Sequence, residues 1–269
     1  MADVEVERRP DGVTVITMNR PERLNAIDLG LVTGLRDALD GVRRDPAARV
    51  VILTGAGGAF CAGADLKSDS FTADSFEPGR GELGRLYESQ EVVTGVAIAL
   101  NELRQPVIAA IDGVAVGGGF GYALACDLRV ASDRARFGAV FTNIGLSNLD
   151  VAVSYFLPRV VGAGRALELM LTARVIDAPT AREMGVVNDV VPPGRLLDRA
   201  LELAAEITAR SAFGVWMTKS GFWANVDAPS LRHAVDREYR TQALGSLHGD
   251  MHEAIEAFRA GRAPAWKPL

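Results

Sequence analysis

Cysteine is nearly absent: Cys61 and Cys126 are the only two in 269 residues. Neither belongs to a Cys-x-x-Cys pair or has a nearby histidine, which argues against a disulfide framework and against a Cys/His zinc site. Both read as buried, reduced thiols. Histidine is scarce as well. His233, His248 and His252 all fall in the last part of the chain, so a Ser-His or Cys-His nucleophile has little support. The segment "HEAIE" lacks the second histidine of a zinc-protease helix, and "GLSNL" is not a nucleophile elbow. No apolar run approaches the roughly 20 residues of a membrane span. The start, "MADVEVERRPDG", has no hydrophobic stretch of the kind a signal peptide needs. A soluble, cytoplasmic protein is expected, without a membrane partner. Basic charge is in deficit, with a net charge of -5, which disfavours nucleic acid, since such binding relies on Lys and Arg against phosphate. Any anionic ligand must be held locally.

What the chain does have is apolar surface, 48% of its residues, enough for one domain, or one with an appendage, and a large core. "VTVITMN" (Val13 to Asn19) and "RVVILTG" (Arg49 to Gly55) read as strands around the helix-spaced "LVTGLRDALDGVRRD". A helix at Leu86 to Leu103, a strand at Gln105 to Gly113, a glycine stretch with its own helix, and the strand "DLRVAS" follow. This alternation implies an α/β fold with a mainly parallel sheet. From Ala163 onward the pattern is almost entirely helical. We place the division at residue 160: a core over 1–160 and a helical region for packing and oligomerisation over 161–269. The Ser-, Asp-, Gly- and Pro-rich segment from Lys67 to Gly84 reads as a mobile surface loop.

Four glycines stand between Val116 and Tyr122. Neither register fits a dinucleotide fingerprint, because Tyr122 or Leu124 occupies the third glycine position, and no Walker lysine follows. The remaining readings are a close-packed turn or a backbone site for an anion or oxyanion at a helix N-terminus. A second cluster, "GAGGAFCAGADL", follows the preceding strand. Two consecutive strand ends thus open into glycine-rich loops, where ligands of parallel sheets sit.

These motifs, "AFCAGADL", "IDGVAVGGGFGYALACDLRVAS" and "RARFGAVFTNIGL", together with "NRPERLNAI" and "LPRVVGAGRALELMLTARVIDAPTAREMGVVNDVVP", resemble the crotonase superfamily, the enoyl-CoA hydratase/isomerase family, over nearly the whole chain. The resemblance implies a crotonase-like ββα spiral with two nearly perpendicular sheets and a helical C-terminal region, assembled as a homotrimer or dimer of trimers. It implies an acyl-coenzyme A thioester as substrate and no permanently bound cofactor. Its shared chemistry stabilises a thioester enolate with two backbone N–H groups, which fall here on Ala64 and Gly118. Coenzyme A contacts are carried over to Arg23, Ala26, Ala62, Asp65, Leu66, Lys67 and Lys219, although Asp65 also suits a local loop-fixing role. The acyl pocket is assigned to Gly121, Phe141, Tyr87 and Glu88, with Glu91 beside them; on a helix these acids also read as a solvated face.

The departures are informative. The two glutamates of hydratases fall at Gly121 and Phe141, neither of which transfers a proton, so ordinary hydration is not expected. Asp150, eight residues before Pro158, resembles the aspartate of dienoyl-CoA isomerases and acyl-CoA dehalogenases, and it equally suits an N-cap of the helix that follows. Isomerisation or another non-hydratase reaction with Asp150 as base is the leading expectation, with a noncatalytic acyl-CoA or fatty-acyl binding protein as the alternative. The missing glutamates favour a bulky or long acyl chain.

Overall fold

Continuous runs of β-branched residues build the centre of the fold. Val13–Met18 (β2), Val50–Gly55 (β3), Val107–Ile111 (β4) and Leu128–Ser132 (β6) lie side by side in parallel. Val4–Arg8 (β1) pairs antiparallel on β2, and Asp189–Val191 (β9) closes the other edge in parallel with β6. This computed structural model describes residues 2–68 and 81–268, so most of the surface loop expected at Lys67 to Gly84 lies outside the described residues.

Alternation along the strands divides their side chains between two apolar layers. Val50, Ile52, Ile108, Ala110 and Val130 pack with Leu196, Ala200 and Ala204 of Leu196–Thr208 (α7). Val51, Leu53, Val107, Ala109 and Ile111 enter the larger core with Leu29–Arg44 (α1). Burial on both faces is why these strands read as unbroken apolar runs. The carboxylate of Asp28 caps α1 by accepting from the Leu31 N–H at 2.9 Å, and Leu31, Leu35, Leu39 and Val42 form its buried stripe.

A second, three-stranded sheet contains Val114–Val116 (β5), Arg136–Gly138 (β7) and Ile176–Asp177 (β8), the first pair parallel and the second antiparallel. The helix expected from Leu86 starts one turn earlier, as Glu82–Glu102 (α2). Gly118–Ala125 (α3) follows β5 directly and is wholly buried. Beyond it come Val153–Val161 (α4), Ala163–Thr172 (α5), Ala178–Met184 (α6), Ala212–Val226 (α8), Leu231–His248 (α9) and Asp250–Arg259 (α10). Residues past the expected division at 160 still complete the core: β9 extends the sheet and α7 covers it. None of the described helices is long and apolar enough to cross a membrane.

Candidate active site

The loop after β3 crosses the end of β5 and is pinned there by backbone hydrogen bonds. The Cys61 N–H donates to Val114 O at 2.9 Å, and the Val116 N–H donates to Cys61 O at 3.1 Å. On the other side, the Ile27 N–H donates to Gly63 O at 2.7 Å and the Asp65 N–H to Ile27 O at 2.9 Å. Ala64 is therefore held between two anchored neighbours, while among the described residues nothing accepts from its own N–H. Gly118, the first residue of α3, likewise has no acceptor for its N–H, as geometry dictates for the first turn of a helix. A Cβ added to Gly63 would lie 3.5 Å from the Gly118 nitrogen, so the two loops are in contact. The result is a pair of uncommitted donors on adjacent segments, with the positive end of α3 behind one of them.

Bare backbone is required for this approach. Gly117 has φ +55° and ψ -127°, a conformation that side chains do not tolerate. A Cβ on Gly119 would stand 2.2 Å from Cys61 O. Beneath the junction, burial pushes the Cys61 thiol up to about 12, opposed by the Gly63 backbone hydrogen bond and Arg20, so this cysteine stays neutral.

Two residues of the segment after β7, Phe141 and Val151, close over the start of α3. The Phe141 ring edge lies 3.9 Å from the Cβ position of Gly117. Val151 Cγ2 lies 3.5 Å from that of Gly118, and the Val151 carbonyl oxygen stands 2.4 Å from that of Gly121. The space beside Gly121 is thus filled by the main chain of Val151. Asp150, immediately before this plug, is half-buried. Burial raises its carboxyl above the usual carboxylate range, against the opposing effect of the Val151 N–H that it accepts at 2.8 Å. Asp150 is not the cap of α4: that helix starts at Val153 behind Ala152, and no side chain caps it. Val151 (φ +42°) and Ala152 (φ +57°) are both left-handed, a strained choice for a β-branched residue. Asp150 and Val151 line a cleft of about 340 Å³ with Gln90 and Thr94 of α2, Ser147 and Ser154.

Arg20 fixes the Ala64 loop from below. Its Nη2 lies 2.8 Å from Asp28 Oδ2 and 3.0 Å from Asp65 Oδ2, and Nη1 donates to the Ala26 carbonyl. Burial works against ionised Asp65, but the Lys67 N–H at 3.1 Å and Arg20 outweigh it and hold its pKa below the ordinary value. The cap of α1 and the Ala64 loop thereby share one guanidinium. Arg20→Met should leave the buried Asp65 and the half-buried Asp28 without their cation and lower Tm. It should also reduce kcat by about tenfold with little change in KM, below the roughly 10²-fold cost of a 1 Å misplacement. Steady-state kinetics on an acyl-CoA substrate, with thermal unfolding alongside, checks both.

The other expected site residues divide into groups. Arg23, Leu66 and Lys67 are exposed beside the Ala64 loop, and Ala62 donates its N–H to Leu24 O at 3.1 Å. Lys219 is elsewhere: it is buried, with Nζ 2.7 Å from Asp127 Oδ2, 3.1 Å from Gln105 O and 3.3 Å from Leu100 O. Its three donors are engaged in docking α8 to the core, which leaves none for a phosphate. On α2, Tyr87 and Glu91 are exposed and Glu88 is half-buried; Tyr87 lies one turn before Gln90 on the cleft-lining stripe.

Sequence reasoning missed Arg20, Gln90, Thr94, Val151 and two buried supports. Tyr122 donates its hydroxyl to Val93 O at 3.0 Å; burial, with Cys61 and Asp150 nearby, raises its pKa. Asn148 accepts from the Phe141 N–H at 3.2 Å and donates to Met170 O at 2.6 Å, fixing the start of the 141–152 segment.

Comparison with known proteins identifies the family. The enoyl-CoA hydratase/isomerase family model matches residues 8–268. A probable enoyl-CoA hydratase of Mycobacterium leprae is 42% identical over 250 residues, covering 93% of this chain and 84% of the relative. The 1,2-epoxyphenylacetyl-CoA isomerase of Escherichia coli is 34% identical, with 94% of each chain covered. The crystal structure of a probable enoyl-CoA hydratase/isomerase from Mycobacterium abscessus superposes with a TM-score of 0.90 at 34% identity, covering 98% of both chains.

Proposed function

The chain belongs to the enoyl-CoA hydratase/isomerase family of acyl-CoA-processing enzymes, and we propose that it forms a thioester enolate and returns the proton elsewhere on the acyl group, as an isomerase or in another non-hydratase reaction. The thioester oxygen accepts from the Ala64 and Gly118 N–H groups. The Asp150 carboxylate takes the proton from the carbon beside the carbonyl, and the freed electron pair passes onto that oxygen. Return of the proton to the γ carbon shifts the double bond. The observation that carries this reading is the presence of two uncommitted donors, Ala64 and Gly118, and of the half-buried Asp150 carboxylate next to Val151, which packs on Gly118 and Gly121. A hydratase needs groups to hold and activate water; the Val151 carbonyl beside Gly121 and the Phe141 ring transfer no proton. Arg23, Ala26, Ala62, Asp65, Leu66 and Lys67 are proposed to border the coenzyme A moiety.

The experiment is a comparison of 2-enoyl- and 3-enoyl-CoA thioesters, followed by proton NMR. A migrated double bond supports the proposal; addition of water at a typical enzymatic rate overturns it. Binding without any change would assign the chain to a noncatalytic acyl-CoA binder.

Gly121→Glu tests the plug. The new side chain must displace the Val151 carbonyl, so the variant is expected to gain no hydration of crotonyl-CoA. Overpacking costs about 1–3 kcal/mol, which for a chain of this size lowers Tm by about 2–4 °C per kcal/mol. Ultraviolet absorbance of the conjugated thioester and a thermal melt read the two effects.

We also propose that a further copy of the chain covers the C-terminal helices. No residue of α9 is buried, and Phe222, Leu231, Tyr239, Leu247 and Phe258 are exposed on α8 to α10. Light scattering should give three or six times the 28.6 kDa chain mass; a monomer would contradict it.

A further inference from the structure

At the opposite pole of the main sheet, before the first residues of β3 and β4, a cleft of about 450 Å³ opens between the end of α1, the start of α8 and the C-terminal tail. It lies away from Ala64, which follows the other end of β3, and from Gly118, which follows β5. Five cations border it: Arg43, Arg44, Arg49, Arg104 and Lys267. The chain as a whole is acidic, so this concentration of positive charge is local.

The charge is poorly compensated. Among the described residues Arg43, Arg49, Arg104 and Lys267 make no ion pair, and Arg44 reaches Asp40 only at 3.8 Å. Arg49 donates to Arg210 O at 2.6 Å, Arg104 to Arg43 O at 3.2 Å and Lys267 to His248 O at 3.1 Å. Each is satisfied by neutral carbonyls, which leave its charge unbalanced. The two carboxylates in the wall are committed elsewhere. Asp11 accepts from Val13 N–H and Arg9, and Asp45 accepts from Ala47 N–H and faces Arg8 at 3.6 Å. Asp250, behind Arg49, already binds Ser211 Oγ at 2.5 Å and Lys267 N–H at 3.2 Å.

A helix C-terminus favours cations, which accounts for Arg43 and Arg44 in the last turn of α1. It does not account for Arg49, Arg104 and Lys267, which come from three other segments. Burial pushes the Arg49 pKa down, against Asp250, a cost that an arriving anion would offset. Two indoles complete the wall. Trp216 carries the Arg104 guanidinium 5.6 Å from its ring centroid, and Trp266 is anchored through Nε1 to Ala209 O at 2.8 Å.

We propose that this cleft is a second ligand site, distinct from the acyl-CoA site, for a small molecule bearing a polyphosphate chain. Arginine forks match phosphate oxygens, several cations call for more than one negative charge, and the indoles offer surface to an attached base. Inorganic pyrophosphate and ATP share the phosphate chemistry and differ in the base.

The test uses Trp223→Phe, which leaves Trp216 and Trp266 as the only indoles, and titrates pyrophosphate and ATP by fluorescence at low ionic strength. A saturable change is expected, with Kd weakened at least about tenfold by Arg104→Gln and by Arg43→Gln, since a lost charge-assisted contact is worth about 1.5–3 kcal/mol. Lys267→Gln, on the tail, keeps the comparison available if an arginine variant fails to fold. Saturation by both probes assigns recognition to the phosphates, and saturation by ATP alone adds the base. No saturable change with either probe, or an unchanged Kd in the charge variants, would overturn the site.

Discussion

Gly118→Pro is expected to slow enolate formation by about 10²–10³-fold, the loss associated with removing one oxyanion donor, while Gly118→Ala retains most of the activity. Gly118 is the first residue of α3, a position where proline fits because its missing N–H has no helical partner. Both substitutions add the same Cβ, which meets the flexible end of Ile27 at 2.7 Å and Val151 Cγ2 at 3.5 Å. The difference between them reports the loss of the N–H together with the proline ring that replaces it. Similar thermal midpoints with a large rate gap would assign the donor a role in the transition state. Equal rates would remove Gly118 from the reaction. Gly119→Ala cannot serve as a control, because its Cβ would strike the Cys61 carbonyl at 2.2 Å.

Asp150→Asn is expected to abolish proton transfer, by about 10²–10⁴-fold for the loss of a general base, and at the same time to raise Tm. Asparagine keeps an oxygen for the Val151 N–H at 2.8 Å and removes a charge that the surroundings disfavour. Burial raises the Asp150 pKa, so the folded state prefers the protonated form. The stability linked to that preference is full at pH below the ordinary carboxylate value and is lost as pH rises through the raised value. At neutral pH the ionised base therefore costs stability, and its replacement recovers it. Activity has the opposite dependence, because only the carboxylate accepts a proton. The acid limb of the rate profile should lie above the ordinary aspartate pKa of about 3.9. A variant that melts earlier than the parent, or that retains the parent rate, would contradict this role.

The two glycine-rich loops were legible as a pair because each follows an apolar strand, although the second strand, β5, belongs to the smaller sheet and meets the loop after β3 through the backbone of Cys61. The sheet itself was legible for the same reason: residues buried on both faces leave continuous runs. Arg20 was not legible. Its partner Asp65 is 45 positions away, and an arginine beside a proline-led turn carries no local sign that it is nearly buried. Lys219 misled in the opposite direction: carried over as a coenzyme A contact, it is held in the core by Asp127, a long-range pairing that a single helix does not announce. The Val151 plug was invisible because β-branched residues rarely adopt positive φ; packing on Gly118 and Gly121 and the hydrogen bond to Asp150 accompany it. The division at residue 160 leaves β9 and α7, which extend and cover the main sheet, on the helical side. The short strand β9 and the amphipathic α7 carry no sequence mark that separates a sheet-covering helix from one that packs outside the sheet.

The most direct measurement is deuterium incorporation beside the thioester carbonyl, followed by NMR in deuterated water over a panel of acyl-CoA thioesters, for the parent protein and for Asp150→Asn. Exchange by the parent, and its loss in a variant that still binds the thioester, is the result expected if two backbone donors and one carboxylate form the enolate. Binding without exchange by the parent, or undiminished exchange by the variant, would contradict it.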